Sequence, residues 1–191
     1  MKIKPTTKRG QVTVRLNRQD ESLLEKSARK TAGSSQPMRI RKILVPTDFS
    51  DCAAKALDYA LAFALQFDAG IVLLHMVEPP IYPENYYVPS PAPEDLSQTA
   101  LKAAQERLND LCRERIGRRV AVESTVRLGR AYFEITDSAR ALNADLIILA
   151  THGYTGLKHV LLGSTAERVV RHAPCPVLTI REREHDFVER A

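Results

Sequence analysis

The residues best suited to chemistry lie together in the second half of the chain. An apolar run ending in Leu149-Ala150 passes into Thr151-His152-Gly153-Tyr154-Thr155-Gly156, and a little further on the sequence reads Gly163-Ser164-Thr165. Three glycines, a Ser-Thr pair and an expected helix start fall within 16 residues. Ser164 followed three residues later by Glu167 has the spacing of a capping box, which predicts a helix opening near Gly163-Ser164. An exposed helix start offers unpaired amides, a partial positive charge and a hydroxyl, and that is the chemistry of an anion site. Gly153 and Gly156 would let backbone approach a phosphate closely or adopt a positive φ. The same residues also read as glycines that close a turn, with Ser164 only capping its helix. From residue types and spacing alone, the anion site and the plain turn stand side by side.

Other candidate groups narrow the chemistry. Lys158 belongs to no GxxxxGK[ST] element, so the pattern excludes a P-loop NTPase. Cys52, Cys112 and Cys175 stand 60 and 63 positions apart, without metal-ligand or redox spacing, and are expected as buried free thiols. His75 lies in an apolar run and reads as structural. His172 falls at a helix end, where capping last-turn carbonyls is the ordinary role. His152 lies inside the glycine-bearing loop, where it either touches a phosphate or hydrogen-bonds backbone to hold the loop, the second being the preferred reading. The segment from Glu78 to Pro93 holds six of the eleven prolines together with Tyr82, Tyr86 and Tyr87. It reads as a stiff crossover loop, with a partner surface or site lid as the alternative.

The elements that position these residues follow βαβ grammar from Arg39 onward. Ile43-Leu44-Val45 is a first strand, and Pro46-Thr47-Asp48 leads to an alanine-rich helix from about Asp51 to Phe67. Ile71 to Val77 is a second strand. Leu101, Ala104, Leu108, Leu111 and Cys112 recur at helical spacing. Val120, Val122, Val126 and Leu128 mark one face of a third strand. Tyr132, Ile135, Ala139 and Leu142 mark a helix, Asp145 to Ala150 a fourth strand, Thr165 to His172 a helix and Val177 to Ile180 a fifth strand. Strands one, two and four are unbroken apolar runs, which suits positions buried on both faces. The third alternates with Glu123 and Arg127, and the fifth opens with Pro174 and Pro176, so those two are expected at the edges. Right-handed crossovers then give an open five-stranded parallel sheet of order 3-2-1-4-5 with helices on both faces, a Rossmann-like α/β fold. Its switch point falls between strands one and four, where Pro46-Thr47-Asp48 and Thr151-His152-Gly153 meet.

Composition and charge set the outer limits. With 44% hydrophobic residues, 27% charged residues and no apolar run of membrane-spanning length, the 191-residue chain reads as a soluble globular protein. No apolar stretch follows the basic residues at the N-terminus, so a cytoplasmic location is the expectation. The net charge of +5 is uneven. Residues 1–38 hold nine Lys and Arg against three Asp and Glu, whereas residues 39–191 hold 19 against 20. The near-neutral body lacks the basic face that duplex nucleic acid requires. Three segments are therefore expected: a basic N-terminal extension and linker over 1–38, an α/β domain over 39–181 and a charged tail over 182–191.

The stretch ATHGYTGLKHVLLGSTAERVVRHAPCPVLTI resembles the C-terminal signature of universal stress proteins. KILVPTDFSDCAAKALDYALAFA and VLLHMVE resemble their first strand, first helix and second strand. The likeness covers nearly all of residues 39–181. Nucleotide-binding members carry a glycine, two residues, a glycine, nine residues, then Gly followed by Ser or Thr. Gly153 and Gly163-Ser164 match, while Ala150 stands in place of the first glycine, adding a methyl and disfavouring positive φ. The resemblance implies ATP or a related adenine nucleotide as ligand. Pro46, Thr47, Asp48 and Met76 would surround adenine and ribose, with Leu149 and Ala150 nearby, and Gly153, Gly163, Ser164 and Thr165 would hold the phosphates. Magnesium or manganese would come with the nucleotide, since one carboxylate is too few for a protein-made cage.

The resulting expectation is a regulatory, stress-response binding module acting on a protein partner that the sequence does not identify. The alternatives are a slow ATPase, with His152 or Asp48 orienting water, and a ligand-free structural dimer. A homodimer paired through Val177, Leu178 and Ile180 of the fifth strand is expected, because an apolar edge is a template for self-pairing. In the extension, Val12, Val14 and Leu16 alternate with Gln11, Thr13 and Arg15, so a short strand is expected, with a helix over Asp20 to Lys30 and a linker from Thr31 to Pro37. A strand-then-helix order resembles half of a ribbon-helix-helix DNA reader. The required second helix is absent, so the preferred reading is an arm whose strand joins a sheet edge or pairs across the dimer.

Overall fold

The computed structural model describes residues 2–5, 12–15, 38–78, 93–152 and 162–182. The chain divides into two units, Met1–Met38 and Arg39–Ala191. In the first, β1 (Lys2–Pro5) pairs antiparallel with β2 (Val12–Arg15), in a register that sets Ile3 against Val14 and Pro5 against Val12. The strand expected near Val12 is thus present, and it pairs with the chain's own start. β1 was not among the expected strands, and a two-stranded ribbon tolerates its Pro5 because both strands are edges. The helix expected over Asp20 to Lys30 and the linker from Thr31 to Pro37 lie outside the described residues.

The second unit runs β3 (Lys42–Thr47), α1 (Asp51–Phe67), β4 (Gly70–Val77), α2 (Pro93–Leu111), β5 (Val122–Leu128), α3 (Ala131–Ala141), β6 (Leu146–Ala150), α4 (Ser164–His172) and β7 (Val177–Ile180). Its five strands are parallel in the order β5-β4-β3-β6-β7, which is the expected 3-2-1-4-5. Period-two geometry explains why the central strands are apolar throughout. Ile43, Val45, Ile71, Leu73 and Ile148 face one layer, where they pack with Leu57, Ala60 and Ala64 of α1 and Leu108 of α2. Leu44, Val72, Leu74, Ile147 and Leu149 face the other, with Ile135 and Ala139 of α3 and Ala166 and Val169 of α4. The small residues of α1 let it lie close to the sheet.

Edge strand β5 departs from expectation at its end, where Leu128 is exposed. The core that receives Val122 and Val126 does not extend that far. Three termini show how the chain turns. Helix α1 stops at Asp68, in the left-handed region at φ 54°, whose neighbour Ala69 donates to Ala64. The last turn after α2 widens into a π-helical turn, Cys112–Ile116, closed by Gly117 at φ 60°. The Asp145 carboxylate accepts from the amides of Arg41 and Lys42 at 2.8 and 3.0 Å, which ties the start of β6 to the start of β3. Among the described residues no helix is long and apolar enough to cross a membrane.

Candidate functional site

Chain direction at the switch point creates the site. After β3 the chain turns to α1 on one face of the sheet, and α4 packs on the other, so a crevice opens beyond the carboxyl ends of β3 and β6. A cavity of about 370 Å³ lies there. Pro46, Thr47 and Asp48 border it from the end of β3, Met76 from β4, Leu149 and Ala150 from β6, and Gly163, Ser164 and Thr165 from the start of α4. Nine of the ten residues singled out from the sequence therefore meet around one cavity. The tenth, Gly153, lies outside the described residues, as do Gly156, Lys158 and the tyrosines of the proline-rich loop. A larger hollow of about 910 Å³ lies between α1 and the turn after Ile116 and contains none of the ten. Asp58 and Arg115 on its lining pair with each other at 2.5 Å.

On the β3 side the turn is closed by its own bonds. The Thr47 hydroxyl accepts from the Phe49 amide at 3.1 Å, and Asp48 Oδ1 accepts from the Ser50 amide and hydroxyl at 3.1 and 2.6 Å. Ser50 then caps α1 by accepting from the Ala53 amide. Phe49 is held at φ 63°, which a phenylalanine adopts only where its surroundings fix it. Those surroundings are the His75 ring at 4.5 Å and the Arg107 guanidinium at 4.1 Å. His75 Nδ1 lies 2.8 Å from the Thr47 carbonyl, and since a carbonyl only accepts, Nδ1 donates. His75 is therefore structural in its bonds, but it also borders the cavity. Neither its place there nor the backbone of Phe49 has a local sequence signal.

The β6 side is built differently. Helix α4 has Gly163 as its N-cap and no side-chain capping bond, so the expected capping box does not form. Ser164 is already the first helical residue, and Glu167 pairs with Arg171 at 2.8 Å. The first intrahelical bond runs from the Glu167 amide to the Gly163 carbonyl, leaving the amides of Ser164, Thr165 and Ala166 ahead of it. Ser164 and Thr165 are exposed on the cavity rim. Gly163 has an ordinary φ of −67°; it is needed for closeness, because a Cβ there would lie 2.8 Å from the Thr151 carbonyl, which already accepts the Gly163 amide. Ala150 lies in regular strand paired with Ile180, and it is absent from the positive-φ residues, so its backbone does not demand glycine.

The remaining groups are accounted for. His152 Nδ1 lies 2.9 Å from the Thr151 hydroxyl, and most of the loop it was expected to hold lies outside the described residues. His172 Nδ1 caps α4 at the Arg168 carbonyl, 2.8 Å away. All three cysteines are free; Cys52 and Cys112 are buried, while Cys175 is half-buried rather than fully so because it lies near the sheet edge. Burial pushes each thiol above its ordinary value. Nearby negative charges, Glu182 and Asp48 for Cys52 and Asp145 for Cys175, act in the same direction. A raised thiol is the reverse of the lowered one that activates a cysteine nucleophile. Among the described residues no three His, Cys, Asp or Glu side chains gather to hold a metal ion.

A doubly wound α/β domain with a cleft at its switch point defines a broad class of ligand-binding folds, and comparison with known proteins narrows it. Residues 39–181 match the model of the universal stress protein family. Universal stress protein MJ0531 of Methanocaldococcus jannaschii is 34% identical over 145 residues, covering 74% of this chain and 82% of the relative. The solved structure of MJ0577, a universal stress protein of the same organism, superposes with a TM-score of 0.65 at 27% identity, over 78% of this chain and 100% of that one. A universal stress protein crystallised in complex with cAMP shares the fold at 22% identity and a TM-score of 0.54, over 75% of this chain and 98% of that one. This chain belongs to the universal stress protein family.

Proposed function

We propose that the chain is a regulatory module that binds ATP or a related adenine nucleotide in the cleft between β3 and β6. The observation that carries this reading is the convergence of nine expected residues on one cavity of a size suited to a small ligand. Pro46, Met76 and Leu149 offer apolar surface to a base. Asp48, a carboxylate on the β3 side of the cavity, suits an adenine amino group or a ribose hydroxyl as an acceptor. Gly163, Ser164 and Thr165 present amides and hydroxyls to phosphate oxygens. Gly153 completes the phosphate contacts by family resemblance. Asp48 and Glu78 are the carboxylates on the lining, too few for a protein-made cage, so magnesium or manganese would arrive with the phosphates.

Turnover is not part of the proposal. His152 is engaged with Thr151, and Asp48 is given to the base or ribose, so the proposal assigns neither to orienting an attacking water. The module would act in the cytoplasm as a homodimer paired through β7, whose edge position and half-buried Val177 and Leu178 suit self-pairing. Its role would be to change contacts with a protein partner in response to stress. Mass spectrometry of small molecules released from the purified, denatured protein tests the ligand: an adenine nucleotide at near-stoichiometric yield is expected. Calorimetry showing no adenine nucleotide bound at millimolar concentration would overturn the assignment. Light scattering at micromolar concentration tests the dimer.

A further inference from the structure

A second hollow, of about 470 Å³, adjoins the first and shares Glu78, Ala131, Ser164 and Thr165 with it. What it adds is Tyr132 and two guanidinium groups, those of Arg130 and Arg168. Arg168 stands one turn beyond Ser164 on the same stripe of α4, and its guanidinium carbon lies 5.0 Å from the centre of the Tyr132 ring. Tyr132 is itself packed against the core beneath α3 and α4. The ring therefore steadies the guanidinium while leaving its edge N–H groups available. Arg130 immediately precedes α3 and is exposed. Among the described residues neither arginine is paired with a carboxylate. The lining holds one acid, Glu78, whose Oε1 accepts from the Ala131 amide at 2.9 Å. Two cations thus face one partly committed anion, beside the rim where Ser164 and Thr165 offer their donors.

We propose that this second hollow is a distal phosphate subsite. Arg130 and Arg168 hold the outer phosphates of a nucleotide whose first phosphate lies against Gly163, Ser164 and Thr165. The inference rests on the nucleotide reading of the first cavity and deepens it: the arginines select by phosphate-chain length, so triphosphate binds more tightly than monophosphate. Guanidinium groups suit that task because each can donate two parallel hydrogen bonds to phosphate oxygens.

The test is calorimetry on the full chain with AMP, ADP and ATP, each with magnesium, for wild type, R130A/R168A and R130K/R168K. The wild type is expected to bind ATP about tenfold or more tightly than AMP, with ATP affinity falling more steeply with salt. In R130A/R168A the ATP affinity should fall at least about tenfold while AMP stays within about threefold, so that the preference collapses. R130K/R168K keeps the charge without the fork and should lie between. Matched thermal melting shows that the variants fold, and the wild-type salt series tests the proposal independently of them. An ATP-to-AMP ratio unchanged in R130A/R168A, or an equal loss for both ligands, overturns the distal subsite while leaving the first cavity standing. No binding of any of the three to the wild type overturns both.

Discussion

The two connections that meet at the switch point are finished in opposite ways. Between β3 and α1, Thr47, Asp48 and Ser50 satisfy the turn and cap the helix with their own oxygens. Between β6 and α4 the cap is a glycine with no side-chain bond, and the hydroxyls of Ser164 and Thr165 stay on the rim. Both helices need acceptors for their first amides. One obtains them within the chain, whereas the other presents its donors to the cavity. At its helix cap the first connection is therefore scaffold, whereas the second is the receptive side.

The largest effect should come from Gly163→Val, which strikes the receptive side. Its Cβ would stand 2.8 Å from the Thr151 carbonyl, so α4 must move away from β6. Nucleotide affinity should drop more than about a hundredfold, and stability by about 1–3 kcal/mol, the usual cost of forcing atoms into a packed contact. Calorimetry and urea unfolding measure the two separately. Affinity retained at the wild-type level would mean that the ligand does not rest on this helix start.

A paired substitution sharpens the contrast. Ser50→Ala removes a cap and should cost about 1 kcal/mol, lowering the melting temperature by about 2–4 °C. Ser164→Ala removes no cap and should leave the melting temperature within about a degree while weakening nucleotide binding severalfold. Equal melting shifts in the two variants would erase the distinction between scaffold and receptive side.

Much of this was legible in the sequence because the signals were burial signals. Unbroken apolar runs put β3, β4 and β6 at the centre, and Pro174, Pro176, Glu123 and Arg127 put β7 and β5 at the edges. The resemblance then supplied the residues that gather at the cavity, since spacing alone could not separate a site from a turn. What stayed hidden depends on three-dimensional neighbours. Leu128 has the right parity for the core yet ends beyond it. Ser164 has capping-box spacing, but the close approach of Gly163 to Thr151 shifts the helix start by one residue. His75 borders the cavity beside Phe49, whose left-handed backbone no local pattern announces.

A smaller effect tests how tightly the scaffold side is closed. Cys52 is the second residue of α1, and its thiol contacts the Ile180 carbonyl at 3.8 Å. Burial raises it above 9.0, so the folded state favours the neutral thiol. The associated stability is fully present below that value and is lost as pH rises through the higher folded value. Urea unfolding of wild type and Cys52→Ala at pH 7 and pH 10 should show a steeper loss at high pH in the wild type. Parallel losses in the two proteins would mean that α1 admits solvent to the thiol.

Smallest of all should be the effect of Ala150→Gly, which restores the first glycine of the family pattern. Were the alanine replacing a glycine needed for positive φ, the change would relieve strain and stabilise the protein. Ala150 instead lies in β6, opposite Ile180 and at the cavity edge, where its backbone is ordinary strand. Glycine there loses more chain freedom on folding, so stability should fall by about 0.5–1 kcal/mol. Removing the methyl opens a little room beside the ligand, so affinity should stay equal or rise by no more than about threefold. Unfolding and calorimetry on the same preparation read both quantities. A gain in stability would show that Ala150 is strained, whereas a tenfold loss of affinity would show that its methyl is itself a ligand contact.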